Sequence, residues 1–98
     1  MQVTQKAEGS CELSVEGELT IYRAAEFHEL LKEKQEEYQT IRLDMENVSE
    51  FDTSCFQVML YHKLRSLEYN RNLILVNASE PVVELLKIFG VRGIFISH

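Results

Sequence analysis

Asp52, Thr53 and Ser54 form the stretch of the chain best suited to chemistry. They follow an apolar strand pattern at Ile41–Met45 and a short polar crossing, and they begin a helical pattern. A helix N-terminus after a strand is a common anion site, because its first N–H groups are unpaired and the helix dipole favours negative charge. Asp52 is predicted to cap the helix by accepting from first-turn N–H groups. Hydroxyl residues there often only cap, so local chemistry alone does not make Thr53 or Ser54 a phosphate acceptor.

The histidines lack the partner spacing that catalysis requires. His28 and His62 fall on helix faces and His98 at the terminus, so all three are interpreted as surface or boundary residues. Asp44 and Glu46 are interpreted as polar residues that close a strand, not as metal ligands. No Gly-rich phosphate loop, HExxH or GxSxG motif is present. The sequence therefore predicts a protein that is not an enzyme and has no catalytic residue, metal or cofactor.

The two cysteines, Cys11 and Cys55, have neither CxxC nor metal-ligand spacing. They are predicted to be free thiols in a reducing compartment. Cys55 would lie in the first turn of the helix, where a thiolate is stabilised. Because no cation is near it in sequence, a small packed residue is expected there.

Length and charge exclude several classes of protein. The 98 residues allow one domain, residues 1–98, with a single core. Ten basic against sixteen acidic residues give a net charge of −6, which argues against a nucleic-acid partner, since phosphate binding needs clustered Lys and Arg. No apolar run approaches the roughly 20 residues that cross a bilayer, and no signal-peptide pattern is visible. A cytoplasmic protein without direct membrane insertion is expected.

The patterns in the first part of the chain predict short strands and then a helix. Met1–Lys6 is a weak edge-strand pattern. Cys11–Val15 and Glu18–Ile21 alternate, which predicts a hairpin around Glu16-Gly17 with Ile21 facing inward. The spacing then becomes helical for about four turns. The apolar face of this helix consists of Ala24, Phe27, Leu30, Leu31 and Tyr38.

Two strands and two helices alternate in the rest of the chain. Leu73–Val76, after the Ile41–Met45 strand, is an apolar run typical of a central strand covered on both sides. The last helix has Ser79 as its N-cap, Pro81 in its first turn and Gly90 after its end. The helix that begins at Asp52 is predicted to bury Phe56, Met59, Leu60, Leu64 and Leu67.

The element order is therefore β-β-α-β-α-β-α. An additional strand is allowed at each end, the second at Gly93–Ser97, which could instead be a tail packed on the sheet. Strand–helix alternation favours parallel neighbours with right-handed crossovers. The predicted fold is α/β, with a mixed, mostly parallel sheet of four to five strands.

The helix that begins at Asp52 also has an outward stripe with apolar and aromatic side chains. Tyr and Arg are favoured at protein interfaces, so this stripe is a candidate partner surface, although isolated exposed Tyr and Val need no explanation. The stripe consists of Ser54, Val58, Tyr61, Arg65 and Tyr69.

Three segments share their order and spacing with one known family. They are VEGELTIYRAAEF at residues 15–27, LDMENVSEFDTS at 43–54 and SEPVVELLKIFGV at 79–91. The first resembles a G-E-L-[DT] strand leading into a helix, the second a strand followed by D-[ST]-[SA]-G-L, and the third a closing S-P-x-V helix. Together they resemble the STAS domain family, which includes bacterial anti-sigma factor antagonists.

The resemblance implies a phosphorylation switch. In the antagonists, a GHKL-type kinase phosphorylates the hydroxyl residue directly after the motif Asp, which corresponds here to Thr53, with Ser54 next to it. The unmodified protein binds a partner, such as an anti-sigma factor or the kinase, and the phosphoprotein is released. Glu50 and Asp52 add negative charge at the same place, which strengthens the repulsion of a partner surface.

The motif departs from the family at two positions. Cys55 replaces the family's Gly and Phe56 replaces its Leu. A side chain at Cys55 is expected to narrow the space for a partner backbone. The alternative function is therefore a constitutive adaptor subunit, either of a chemosensory complex or of a phospholipid ABC transporter.

Overall fold

A computed structural model describes residues 1–95, except the side chains of residues 5–7. Its elements in chain order are β1 (Gln2–Ala7), β2 (Ser10–Leu19), a short 3₁₀ helix (Ile21–Arg23), α1 (Ala24–Glu37), β3 (Thr40–Phe51), α2 (Thr53–Glu68), β4 (Asn72–Ala78), α3 (Glu80–Ile88) and α4 (Arg92–Phe95).

The four strands form one sheet in the order β1-β2-β3-β4. β1 is antiparallel to β2, whereas the β2–β3 and β3–β4 pairs are parallel. Buried residues alternate along the first part of β2 and of β3, so one face of the sheet carries the core. The predicted α/β fold with a mixed, mostly parallel sheet is confirmed. Among residues 1–95, no helix has the length and apolarity needed to cross a membrane.

The predicted hairpin around Glu16-Gly17 is wrong. β2 runs without a break through both residues, because β3 pairs with it from Ser10 to Leu19. Gly17, with φ of +81°, lies at a register shift of this pairing, so its left-handed conformation makes a bulge and not a turn. The hairpin lies instead between β1 and β2, around Gly9.

Two further predictions about the strands are wrong. They concern the residue at which β3 ends and the position of β4 in the sheet. β3 does not end at Met45 but continues to Phe51, since its second half pairs with the end of β2. The residues interpreted as a polar crossing are therefore strand residues. β4 is an edge strand and not a central one: Leu73 and Leu75 are buried, while Ile74 and Val76 are only half-buried.

The buried face of α2 differs from the predicted face in its second half. Leu64 and Leu67 are 52% and 60% exposed, whereas His62 and Ser66 are buried. α1 packs along this part of α2, and it offers polar groups to His62. Ser66 Oγ donates to the Lys63 carbonyl at 2.6 Å, so its burial leaves no polar group unpaired.

The end of the chain forms no strand at 93–95, where the structure has the short helix α4. Its Phe95 is buried and belongs to the hydrophobic core. The remainder of the predicted Gly93–Ser97 segment, and His98, lie outside the described residues. Ser79 is the N-cap residue of α3 as predicted, but its buried hydroxyl has no hydrogen-bond partner within the described residues.

Candidate functional site

Asp52 connects three elements at the N-terminus of α2. Its Oδ1 accepts from the backbone N–H groups of Ser54 at 3.1 Å and Cys55 at 3.2 Å, which confirms the predicted cap. Its Oδ2 accepts from the N–H of Ile21 at 2.8 Å, in the 3₁₀ helix. The Asp52 N–H donates to the carbonyl of Leu19, at the end of β2. Asp52 therefore joins the helix start and the 3₁₀ helix through its side chain, and the strand end through its backbone.

Because of this cap, the helix start is not an open site for a separate anion. The N–H groups of Ser54 and Cys55 are already occupied by Asp52, as the predicted cap requires. A separate anion could not take them without displacing that carboxylate. A phosphate at this place would instead lie beside an existing negative charge, where it would alter the surface more than the backbone.

The two hydroxyl residues differ in exposure. Thr53 is exposed and Ser54 is half-buried. Neither hydroxyl makes a hydrogen bond to another described residue. Ser54 lies in a shallow depression whose other lining residues are His28, Gln57, Val58 and Tyr61. Thr53 is therefore the more accessible of the two hydroxyl residues, and Ser54 belongs to the depression.

Cys55 points into the protein, which corrects the expectation that it narrows the space for a partner. The side chain is fully buried, and its Sγ donates to the Thr20 carbonyl at 3.3 Å. Burial, with the nearby Asp52 charge, raises the pKa of the thiol to about 11. Cys11 is also free and buried, as the sequence predicted. The substituted motif position is thus a packing residue that holds its proton.

Phe56, the second departure from the family motif, is a core residue too. It is 3% exposed and stacks on Phe89, the residue directly after α3, with ring centroids 4.6 Å apart. Both substitutions therefore change the packing beneath the helix start and leave its outer surface to Thr53 and Ser54.

Two exposed side chains beside the cap, Ile21 and Tyr22, were not predicted from the sequence. Ile21 was predicted to face inward, but it is 62% exposed, and Tyr22 is 94% exposed. They lie on the 3₁₀ helix, which Arg23 secures by donating to the carbonyl of Glu16 at 3.0 Å. The short 3₁₀ turn reverses the inward alternation of β2, which no strand pattern could predict. Exposed apolar side chains next to Asp52 are suited to a protein contact.

The outward stripe predicted on α2 is present, and Arg65 joins two of its tyrosine side chains. Tyr61, Arg65 and Tyr69 are exposed, and the Arg65 guanidinium lies over both rings, at 5.7 Å from the first and 5.0 Å from the second. Arg65 Nη1 also donates to the Tyr61 hydroxyl at 3.4 Å. Val58 is half-buried and leads from these residues toward the cap. We call Tyr61, Arg65 and Tyr69 the ladder.

Glu50, predicted to contribute negative charge near the motif, is exposed two residues before Asp52. It pairs in register with Glu18 of β2, so two carboxylates occupy neighbouring positions at this end of the sheet. The structure therefore places an acidic edge close to Thr53.

His62 was interpreted as a surface or boundary residue, but it is buried and bonded to α1. His62 is 1% exposed; its Nδ1 lies 2.6 Å from Gln35 Oε1 and its Nε2 lies 2.9 Å from His28 Nδ1. Gln35 Nε2 also donates to the His62 carbonyl at 2.9 Å. Burial, with the neighbouring His28 and Arg65, lowers the pKa of His62 to about 4. The spacing of His28 and Gln35, two turns apart on α1, was the signal that could have indicated this contact.

The chain belongs to the STAS domain family. Its sequence matches the family described as “Mlab, STAS domain” over residues 3–96. The resemblance inferred from the three sequence segments is thereby confirmed. A search of curated proteins gave no significant match.

Solved structures of anti-sigma factor antagonists have the same fold. The antagonist SpoIIAA in its unphosphorylated form is 20% identical, with a TM-score of 0.80 over 99% of this chain and 86% of that one. The phosphorylated form of SpoIIAA, a Bacillus cell fate determinant, is 20% identical, with a TM-score of 0.75 over 99% and 89%. An antagonist from Mycobacterium paratuberculosis is 14% identical, with a TM-score of 0.80 over 96% and 80%.

Proposed function

We propose that this chain is a regulatory, non-enzymatic STAS protein that binds a protein partner and is switched by phosphorylation at Thr53 or Ser54. The observation that carries the proposal is the Thr53 hydroxyl, exposed and unbonded within the described residues, directly after the helix cap Asp52. The likeness to SpoIIAA, known in unphosphorylated and phosphorylated forms, supports it.

The switch would begin with phosphoryl transfer from a partner kinase of the GHKL type. The Thr53 oxygen attacks the γ-phosphorus of ATP, ADP leaves, and the hydroxyl proton passes to a base of the kinase. Because the hydroxyl makes no hydrogen bond within the described residues, the transfer breaks no contact of the fold. Thr53 is the first choice because it is exposed, whereas Ser54 is half-buried.

Partner release would follow from charge at the contact surface. A phosphate adds about −1.5 to −2 charges at neutral pH. Here it would join Asp52 and Glu50, so a partner covering this place would bury an unpaired negative cluster. In the free protein the phosphate would remain in contact with water, so the fold would be kept.

The proposed partner surface surrounds the acceptor. The depression at Ser54 leads to the ladder on one side, and Asp52 holds the exposed Ile21 and Tyr22 on the other. Aromatic and Arg side chains are the residue types that contribute most at protein interfaces. The proposed partner-binding residues are Glu50, Ser54, Val58, Tyr61, Arg65 and Tyr69, with Ile21 and Tyr22.

The second candidate function keeps the surface and omits the switch. Membership of the STAS domain family supports a constitutive adaptor subunit, either of a chemosensory complex or of a phospholipid ABC transporter. Such a subunit would use the same exposed residues but would need no change at Thr53.

Binding to the partner captured from the native cell separates the two functions. We expect Thr53→Asp to weaken binding at least about tenfold, because the charge opposes docking. Thr53→Val, which keeps the shape and removes the hydroxyl, is the matched control and should bind like the wild type. Equal affinity of the wild type, Thr53→Asp and Ser54→Asp, with the fold intact by circular dichroism, would contradict the switch and favour the adaptor.

A further inference from the structure

A groove of about 370 Å³ lies between the second half of α1 and α2. Small-molecule sites usually have volumes of this order or larger. The ladder forms one side of the groove and the buried His62 contributes to its lining. The complete lining is His28, Lys32, Gln35, Glu36, Tyr61, His62, Arg65, Ser66, Tyr69 and Arg71.

The charge of this groove is opposite to that of the protein. Lys32, Arg65 and Arg71 face one carboxylate, Glu36, which gives the lining a formal net charge of +2. The whole chain carries −6. None of the three cations forms a salt bridge with a described residue, although carboxylates are in excess. Unpaired cations gathered in one concave place indicate an anionic occupant.

Two of these cations are held in position by contacts that leave their charge uncompensated. The Arg65 guanidinium lies over the rings of Tyr61 and Tyr69, which orient it through cation–π contacts. Arg71 Nη1 donates to the carbonyl of Tyr38 at 3.0 Å. A guanidinium fork fixed in this way suits the bidentate binding of a phosphate or carboxylate group.

The polar groups in the buried part of the lining are already satisfied. His62 and Gln35 bond to each other twice, and His62 also bonds to His28. Ser66 bonds to a backbone carbonyl of its own helix. An occupant would therefore be recognised by the cations and tyrosines of the open side, while the buried network keeps α1 and α2 at a fixed spacing.

We propose that this groove binds a small organic phosphate monoester. A monoester carries about −1.5 to −2 charges at neutral pH, which matches the net charge of the lining. Its phosphate would lie at Arg65 with Lys32 or Arg71, and its organic part against the exposed tyrosine rings. The inference goes beyond the proposed switch and does not depend on it, because it uses no property of Thr53 or Ser54.

A titration of the full ¹⁵N-labelled chain with phenyl phosphate tests the proposal by nuclear magnetic resonance. Saturable shifts are expected for amides near the groove in Lys32–Glu36 and Tyr61–Arg71. Phenol, which lacks the charge, and inorganic phosphate, which lacks the ring, should both bind more weakly. Binding of phenol or inorganic phosphate as tight as that of phenyl phosphate would overturn the proposal.

Matched variants identify the groove as the site. Arg65→Gln should weaken phenyl phosphate binding about tenfold, since it loses charge-assisted hydrogen bonds. Glu36→Gln should tighten it, and Lys87→Gln should not change it, because this exposed lysine lies on α3, outside the lining. Retained dispersion of the spectrum shows that each variant is folded.

Three further outcomes would refute the assignment. They are the absence of saturable shifts, equal affinity of Arg65→Gln and the wild type, and binding of a penta-glutamate peptide without binding of phenyl phosphate. The last result would assign the groove to an acidic protein segment.

Discussion

At the scale of single residues, Asp52 has the largest structural consequence. Its two carboxylate oxygens accept from three backbone N–H groups, on α2 and on the 3₁₀ helix. The sequence predicted the cap but not the bond to Ile21, because that contact spans 31 residues and depends on the tertiary fold. Cys55 shows the same limit: the motif identified the substitution, but only the fold shows that its side chain points inward.

Replacing Asp52 by Ala should destabilise the protein by about 2 kcal/mol, because three N–H groups lose their acceptor. Asp52→Asn, whose carbonyl oxygen can still accept, should lose less. Urea unfolding followed by circular dichroism measures both. Glu50→Ala is the control, since the Glu50 side chain is exposed and makes no hydrogen bond to a described residue. A loss for Asp52→Ala no larger than that of Glu50→Ala would contradict the role of the cap.

At the scale of elements, the packing of α1 on α2 departs most from the sequence pattern. Hydrophobic spacing predicted Leu64 and Leu67 on the buried face, and the fold buries His62 instead. A periodic pattern assumes that apolar residues are buried. It fails here because α1 supplies Gln35 and His28 as hydrogen-bond partners for the imidazole, which no local rule can foresee.

The low pKa of His62 makes the α1–α2 contact sensitive to acid. The folded value is about 4, against 6.5 for an unperturbed His, so the unfolded state takes up the proton first as the pH falls. The stability that neutral His62 contributes is complete above pH 6.5 and is lost between pH 6.5 and 4. From pH 7 to pH 5 this loss amounts to about 2 kcal/mol.

Denaturant unfolding of the wild type and of His62→Leu at these two pH values checks this effect. The variant is expected to be less stable at pH 7, because Gln35 and His28 lose their partner. It should nevertheless lose about 2 kcal/mol less than the wild type between pH 7 and pH 5. Parallel pH dependences of the two proteins would show that His62 does not cause the acid sensitivity.

At the scale of the whole molecule, sequence patterns predicted the fold class well and the connections poorly. The alternation of strands and helices determined the parallel pairs, since a crossover helix leaves few topologies. Gly17 looked like a turn because a glycine after an alternating strand usually is one, and only the pairing partner shows that the strand continues. Likewise β4 looked central because an apolar run does not reveal which strand lies at the edge.

The parts of the candidate site that depend on residues close in sequence could be predicted. Asp52, Thr53, Ser54 and the ladder were visible from capping and helical spacing. The exposed Ile21 and Tyr22, and the positive groove, were not visible, because they arise where distant segments meet. The proposed switch rests on the exposed Thr53 hydroxyl directly after the cap, and the groove is independent of it.

The most direct test of the switch is phosphopeptide mass spectrometry of the protein isolated from its native cell. Partner-bound and free fractions should be analysed separately, with Thr53→Val as the control for site assignment. The proposed switch predicts phosphate on Thr53 in the free fraction and unmodified Thr53 in the partner-bound fraction. Unmodified Thr53 and Ser54 in both fractions, under conditions in which the partner dissociates, would contradict it.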